Sequence, residues 1–228
     1  MRKELAPYVE MVEFLGEALG REYEIVLHDL TNPERSIVAI ANGELSGRGI
    51  GGPVTDFALK ILKTGTLEKK SYVANYHGKN VNGHVYLSSS KFIFDVQHKP
   101  IGILCINHNI TPYLEVRRFL TDSVIRDREM HPKLAGLESQ NASVIYENFQ
   151  GNVSEVIRTL IDKALEGSTK APSKLSLQEK MSVIEELNEN GLFLLKGSIP
   201  AIAMKLGVSE PTIYRYLSKV KKGQNAPH

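Results

Sequence analysis

Tryptophan is absent from the 228 residues, cysteine occurs once, and no apolar run is long. The single Cys105 excludes an internal disulfide and cannot form a thiolate cluster, which points to a reducing compartment and against structural zinc. The longest apolar runs, such as Ile101–Ile106, stop far short of the roughly 18 residues of a membrane helix, so no membrane contact is expected. The opening stretch MRKELAPYVEMVEFL carries Glu4, Glu10 and Glu13 through its apolar part, whereas a secretory signal needs an uninterrupted apolar centre. The expected location is therefore cytoplasmic. The seven histidines lack metal-ligand spacing, and no cofactor is expected.

What is present is an ordinary globular composition, 42% hydrophobic and 24% charged, enough for one large domain or two modest ones. Net charge is only +2, but residues 171–228 hold eight Lys/Arg against five Glu. The positive excess thus sits in the C-terminal part, where a polyanion would be met. Glu166–Ser173, rich in small and turn-forming residues, reads as a linker. Before it, Val153, Val156, Ile157, Leu160, Ile161 and Ala164 follow helical spacing, with Asn152 as N-cap. Residues 129–150 have no strong pattern and read as an irregular connection. The expected division is an α+β unit over 1–128, a connecting segment over 129–173 containing a helix at 152–166, and a helical unit over 174–222.

The first 125 residues mix strand and helix signals. Leu5–Ala18 reads as an amphipathic helix, Tyr23–His28 and Ser36–Asn42 as strands, and Thr55–Thr64 as a helix. His84–Val96 and Ile101–His108 are stronger strands about a Gln97–Pro100 turn, and Pro112–Arg126 closes the unit as a helix. These strand-sized segments with flanking helices imply an α+β fold with an antiparallel sheet.

The informative stretch lies after the linker. Ser176 caps a helix reaching Asn190, with Leu177, Met181, Ile184 and Leu187 on one face, and Gly191 stops it. Ser198 is expected to cap a second helix that tolerates Pro200 in its first turn. Ala203 is small where paired helices must approach, Gly207 supplies a positive φ, and Val208 fills the core beneath. Ser209 caps the next helix, Pro211 sits in its first turn, and Ile213 and Leu217 pack inward. That leaves Glu210, Pro211, Thr212, Tyr214 and Arg215 at the exposed front, as in a helix that enters a DNA major groove. Arg215 is the candidate for bidentate pairing with guanine, while Ser198, Ser209, Lys219, Lys221 and Lys222 suit phosphates. The alternative is a helical hairpin used only for packing. Small residue, glycine, capping serine, threonine, apolar residue and arginine in one register favour double-stranded DNA as the partner.

Elsewhere the signals are weaker. His28-Asp29 is more readily a strand end and a turn than an acid/base pair, and no catalytic set is found. Gly47–Gly52 lacks the Lys-Ser/Thr of a phosphate loop. Ser88, Ser89 and Ser90 precede an alternating strand and Asn107 ends its neighbour; with His28 and Asn42 they form the candidate set for a small polar effector.

These stretches resemble a known family. EIVLHDLTNPERSIVAIANGELSGRGIG, SSSKFIF and IGILCIN resemble the YheO-like PAS sensor domain, and GLFLLKGSIPAIAMKLGVSEPTIYRYL resembles the helix-turn-helix joined to it in the D-arginine utilization repressor group. The resemblance implies a five-stranded antiparallel PAS-like sheet and a ligand-sensing, dimeric transcriptional regulator whose operator affinity is controlled by an unidentified small molecule. Leu87 and Ser90 stand where relatives carry a basic residue and a threonine, and the Asp95–Pro100 hairpin lacks the usual glycine, so an arginine-type ligand does not transfer. The competing classes are a small-molecule enzyme with a helical appendage and a protein-interaction module without DNA.

Overall fold

The computed structural model of the chain describes residues 1–64, 71–125, 146–168 and 170–224. Helix α1 (Ala6–Leu19) precedes strands β1 (Tyr23–Asp29) and β2 (Ile37–Ala41), then helix α2 (Asp56–Thr64). Strands β3 (Tyr72–Asn80), β4 (Val85–Phe94) and β5 (Pro100–Asn109) lead into α3 (Thr111–Ile125). After β6 (Tyr146–Phe149) the chain is helical: α4 (Val153–Ala164), α5 (Leu177–Glu189), α6 (Ser198–Leu206) and α7 (Glu210–Gln224). The fold is α+β, and no described helix is long and apolar enough to cross a membrane.

The sheet order is β2-β1-β5-β4-β3-β6. Among the described residues it has six strands rather than five, and β6 runs parallel to β3 where a wholly antiparallel sheet was expected. Two strands escape the sequence pattern. Over β3 only Tyr76, Gly78 and Asn80 are buried, too few for clear alternation. Strand β6 spans four residues inside the stretch expected to be irregular; the remainder of that stretch up to residue 145 lies outside the described residues.

Strand alternation sends β1 side chains to two different environments. Ile25 and Leu27 join Leu5, Val12, Ile101 and Leu104 under α1. Val26 faces the other way, into a cluster that continues through Phe92, Ile103 and Leu59 to Val156, Ile184, Ile202 and Ile213. One apolar core therefore runs from the inner sheet face into the C-terminal helices. Helix α4, read from sequence as part of a connection, packs on α5 and α6.

Local chemistry fixes the C-terminal helices. Ser176 and Glu179 form a reciprocal capping box at the start of α5. Helix α6 is capped by Gly197 at φ 80°, not by Ser198, whose hydroxyl donates to Leu195 O at 2.8 Å. Gly207, at φ 61°, closes α6, and Val208 N–H reaches back to Ala203 O at 3.0 Å.

Gly191 carries a second constraint. It adopts φ 78°, and a Cβ there would lie 2.7 Å from the Leu59 carbonyl oxygen of α2. The turn after α5 therefore touches the α2 backbone directly. Gly191→Ala combines a left-handed strain with that clash and is expected to cost about 2–4 kcal/mol in urea unfolding followed by circular dichroism. An unchanged midpoint would mean that the contact yields freely.

Candidate ligand site and nucleic-acid interface

The inner sheet face carries a polar row where a core would ordinarily be apolar. Register pairs Glu24 with Asn107, Asn107 with Ser88, and Ser88 with Tyr76, crossing β1, β5, β4 and β3 in turn. All four side chains are buried. Asn107 donates from Nδ2 to Glu24 Oε1 at 2.9 Å. Glu24 also accepts from Ser46 and from the guanidinium of Arg48. Arg48 comes from the glycine-rich Gly47–Gly52 loop, and its side chain is 2% exposed and lies 4.3 Å from the centre of the Phe149 ring. Burial opposes the Arg48 charge, and Glu24 more than restores it, so its pKa is raised.

A second chain of bonds crosses the next row. Tyr76 Oη donates to Glu147 Oε2 at 2.8 Å, and Thr55 donates to the other oxygen. With the Tyr76 proton committed, Ser90 donates to Tyr76 Oη at 2.8 Å and the Cys105 thiol to Ser90 at 3.1 Å. Burial pushes Glu147 up to about 7, although Thr55, Arg48 and Tyr76 pull the other way. Burial first and then Glu147 push Cys105 up to about 12, so this thiol is inert.

The expected effector residues divide. Ser88, Ser90, Asn107 and His28 face this interior. Ser88 Oγ and Asn107 Oδ1 are buried without a hydrogen-bond partner among the described residues. Native interiors rarely leave such atoms unmet, and a missing polar partner is the usual reason. His28 sits 2.8 Å from Ser36 Oγ, and burial with the nearby Arg48 holds its pKa down to about 3. Ser89 points to the opposite face, where it accepts from Asn75 N at 3.2 Å. Asn42 adopts φ 56° and clips the Gly20 and Tyr23 carbonyls, at 3.1 and 2.7 Å. Neither belongs to the interior. Glu24, Arg48, Tyr76 and Glu147 were not found from sequence; only Glu24, an acidic residue on the inner stripe of β1 beside Val26, left a signal.

The C-terminal front matches expectation more closely. Ile213, Tyr216, Leu217 and Val220 are buried, while Ser209, Glu210, Pro211, Tyr214, Arg215, Lys219 and Lys221 are exposed and Thr212 is half-buried. Glu210 is the one acidic side chain of α7, at its N-terminus, where the helix dipole suits it. Ser209 Oγ and Thr212 Oγ1 are 3.0 Å apart. Ser198 is 2% exposed and bonded internally, which corrects its assignment as a phosphate contact. The side chain of Lys222 lies outside the described residues.

Glu147 gives the interior a pH signature. Its folded pKa exceeds its ordinary value, so its contribution is fully present below about 4.5 and is lost as pH rises through about 7. Between about pH 5 and about pH 8, wild type should lose on the order of 3 kcal/mol relative to Glu147→Gln, measured by urea titration. His28 acts in the opposite sense, losing stability as pH falls below its ordinary value of 6.5, and cancels in that difference. A pH-independent difference would place the Glu147 carboxyl in contact with water.

Comparison with known proteins fits both halves. A family model described as a YheO-like PAS domain matches residues 1–124, and one described as an HTH domain matches residues 156–218. YheO of Escherichia coli K12, described as uncharacterized, is 29% identical over 220 residues, covering 96% of this chain and 85% of that protein. The transcriptional regulator DauR of Pseudomonas aeruginosa is 25% identical over 200 residues, covering 88% of this chain and 86% of its own. The phage VqmA–DPO complex aligns with the whole chain and 86% of its own at 16% identity, with a TM-score of 0.30, too low to carry an argument.

Proposed function

This chain belongs to the YheO-like PAS family and is a transcriptional regulator with PAS and helix-turn-helix domains, and from that premise we propose that its sheet interior senses a small molecule and thereby alters operator binding by a dimer. Transcription regulators of this kind are not enzymes, and the Glu147–Tyr76–Ser90–Cys105 chain offers no activated nucleophile. The observation that carries the sensing reading is the adjacent pair of unmet buried atoms, Ser88 Oγ and Asn107 Oδ1. An effector presenting a donor to Asn107 and a donor or acceptor to Ser88 would satisfy both.

In this reading the sensor unit, residues 1–128, is completed by β6, and the DNA-binding unit is 174–222 with α4 packed against it. The route between them is short. Ser88 pairs across strands with Tyr76, Tyr76 donates to Glu147, and Glu147 lies on β6. Asn152, a few residues on, caps α4 by accepting from Glu155 N. An effector that moves Tyr76 shifts β6, and β6 steers α4, which packs on α5 and α6. Two recognition helices must meet half-sites about 34 Å apart, so a small rotation weakens binding.

On DNA, Arg215 is assigned to base contact, with Glu210, Pro211, Thr212 and Tyr214 beside it, and Ser209, Lys219 and Lys221 to phosphates. The test is electrophoretic mobility shift with duplex from upstream of the chain's own gene. Arg215→Ala should lose the sequence-specific shift while urea stability changes by less than about 0.5 kcal/mol, because the side chain is exposed. Undiminished site preference would refute the assignment. For sensing, native mass spectrometry of freshly purified protein should detect a retained small molecule in wild type and not in Asn107→Ala, which should still bind DNA. Equal retention by both proteins would remove Asn107 from the site.

A further inference from the structure

The segment just before α5 has the composition of a linker, yet the fold pins it in place. Leu175 is buried in the helical core, and Lys174 N–H closes a tight turn on Ala171 O at 2.8 Å. Lys180 of α5 is 9% exposed, rare for a lysine, and donates its ammonium to Ser173 O at 3.0 Å. Lys170 pairs with Glu179 at 2.7 Å. Residues 170–175 are therefore held at both ends and in the middle.

They are held against the turn that leads into α7. A Cβ on Gly207 would lie 2.9 Å from Ser173 Cβ, so this turn packs directly on Ser173. Ser209, at the start of the exposed front, is two residues further along the chain, a span of at most about 7 Å. That edge of the interface has no cation of its own: the first turn of α7 carries Glu210, Arg215 follows in the second, and Lys219 and Lys221 come later. Lys205, in the last turn of α6, is paired with Asp162 at 2.8 Å. Lys174 is exposed and has no ion pair among the described residues, and Lys170 already answers the nearby carboxylate of Glu179.

We propose that residues 170–175 form a second DNA-contacting element, with Lys174 meeting the phosphate backbone beside the groove that the start of α7 enters. Chain ahead of the first helix of a DNA-binding domain can reach DNA next to the recognition helix. Here that chain is short and pinned, so it meets the backbone instead of threading a groove. Such a contact adds affinity and fixes orientation without reading bases. The assignment rests on α7 as the recognition helix and supplies the cation that its leading edge lacks.

Fluorescence anisotropy of the full chain on labelled duplex, across a salt series, tests it. Lys174→Ala is expected to weaken binding about tenfold at low salt and to flatten the slope of log Kd against log salt by about 0.9, the share of one phosphate. The loss should be equal on random-sequence duplex and on duplex from upstream of the chain's own gene, so the ratio of the two affinities stays as in wild type. Lys174→Arg should keep the wild-type slope. Lys99→Ala, which removes an exposed cation from the remote β4–β5 turn, should also keep it. Lys174 is exposed, so circular dichroism should show each variant folded as wild type is. A Lys174→Ala slope equal to that of wild type, or a loss no larger than that of Lys99→Ala, overturns the contact. An altered ratio between the two duplexes overturns the assignment to phosphate. A wild type that binds both duplexes equally counts against sequence reading by α7 instead, and the slope still decides for or against Lys174.

Discussion

The structure turns on a carboxylate where water cannot follow. Glu147 is 3% exposed on the edge strand β6, and its burial is tolerable because Thr55 and Tyr76 donate to its two oxygens. An unpaired buried charge would instead neutralise or open the structure. Thr55 stands immediately before α2, and Tyr76 lies on β3. The carboxyl group thus holds together a helix, a strand and the last sheet element before the DNA-binding helices. Asn148 strengthens the same junction, giving its backbone N–H and its amide to Asp56 at 3.0 and 2.7 Å. A four-residue parallel edge strand has few ladder bonds of its own, so these side-chain contacts decide whether it stays docked.

Under the proposed sensing reading, that dependence would let ligand binding and DNA binding communicate in a chain with one continuous apolar core. An apolar core transmits force in every direction and stores no state. The polar chain across the inner face is directional, since each hydroxyl has one proton to give, and losing a partner at Tyr76 leaves Glu147 half-satisfied. The unmet Ser88 and Asn107 atoms adjoin this chain instead of lying at a remote corner. In the proposed reading, a molecule bound there would compete for the same bonds that hold β6.

Much of this was legible in the sequence, though unevenly. The Gly207, Ser209 and Arg215 register gave the C-terminal helices, because a tight helical turn leaves few residue choices and each is local. Strands β1, β4 and β5 were legible because one or both of their faces are buried. Strand β3 was not, because its outer face is exposed along much of its length, and β6 was too short for any period. The interior polar row was half visible: Ser88, Ser90 and Asn107 stood out, whereas Ser89 and Asn42 face elsewhere for reasons of strand parity and turn chemistry. Arg48 was illegible in principle. Only the folded loop shows that a guanidinium among glycines ends up over Phe149 and against Glu24. Ser198 failed differently, since Gly197 took the capping position with a backbone conformation that serine disfavours.

The charge distribution sets the terms on which such a regulator can work. Among the described side chains, helix α7 exposes Arg215 near its front and Lys219 and Lys221 in its C-terminal half, few cations for phosphate binding compared with strongly basic DNA-binding domains. With so few counterions released per copy, one helix-turn-helix binds weakly and with a shallow salt dependence. In the proposed dimer the second contact would gain the effective concentration set by the link between the two copies. A link of fixed geometry raises affinity only while both helices reach successive major grooves. In the proposed reading the modest charge of α7 suits control by geometry: a more basic helix would stay on DNA whichever way its partner turned.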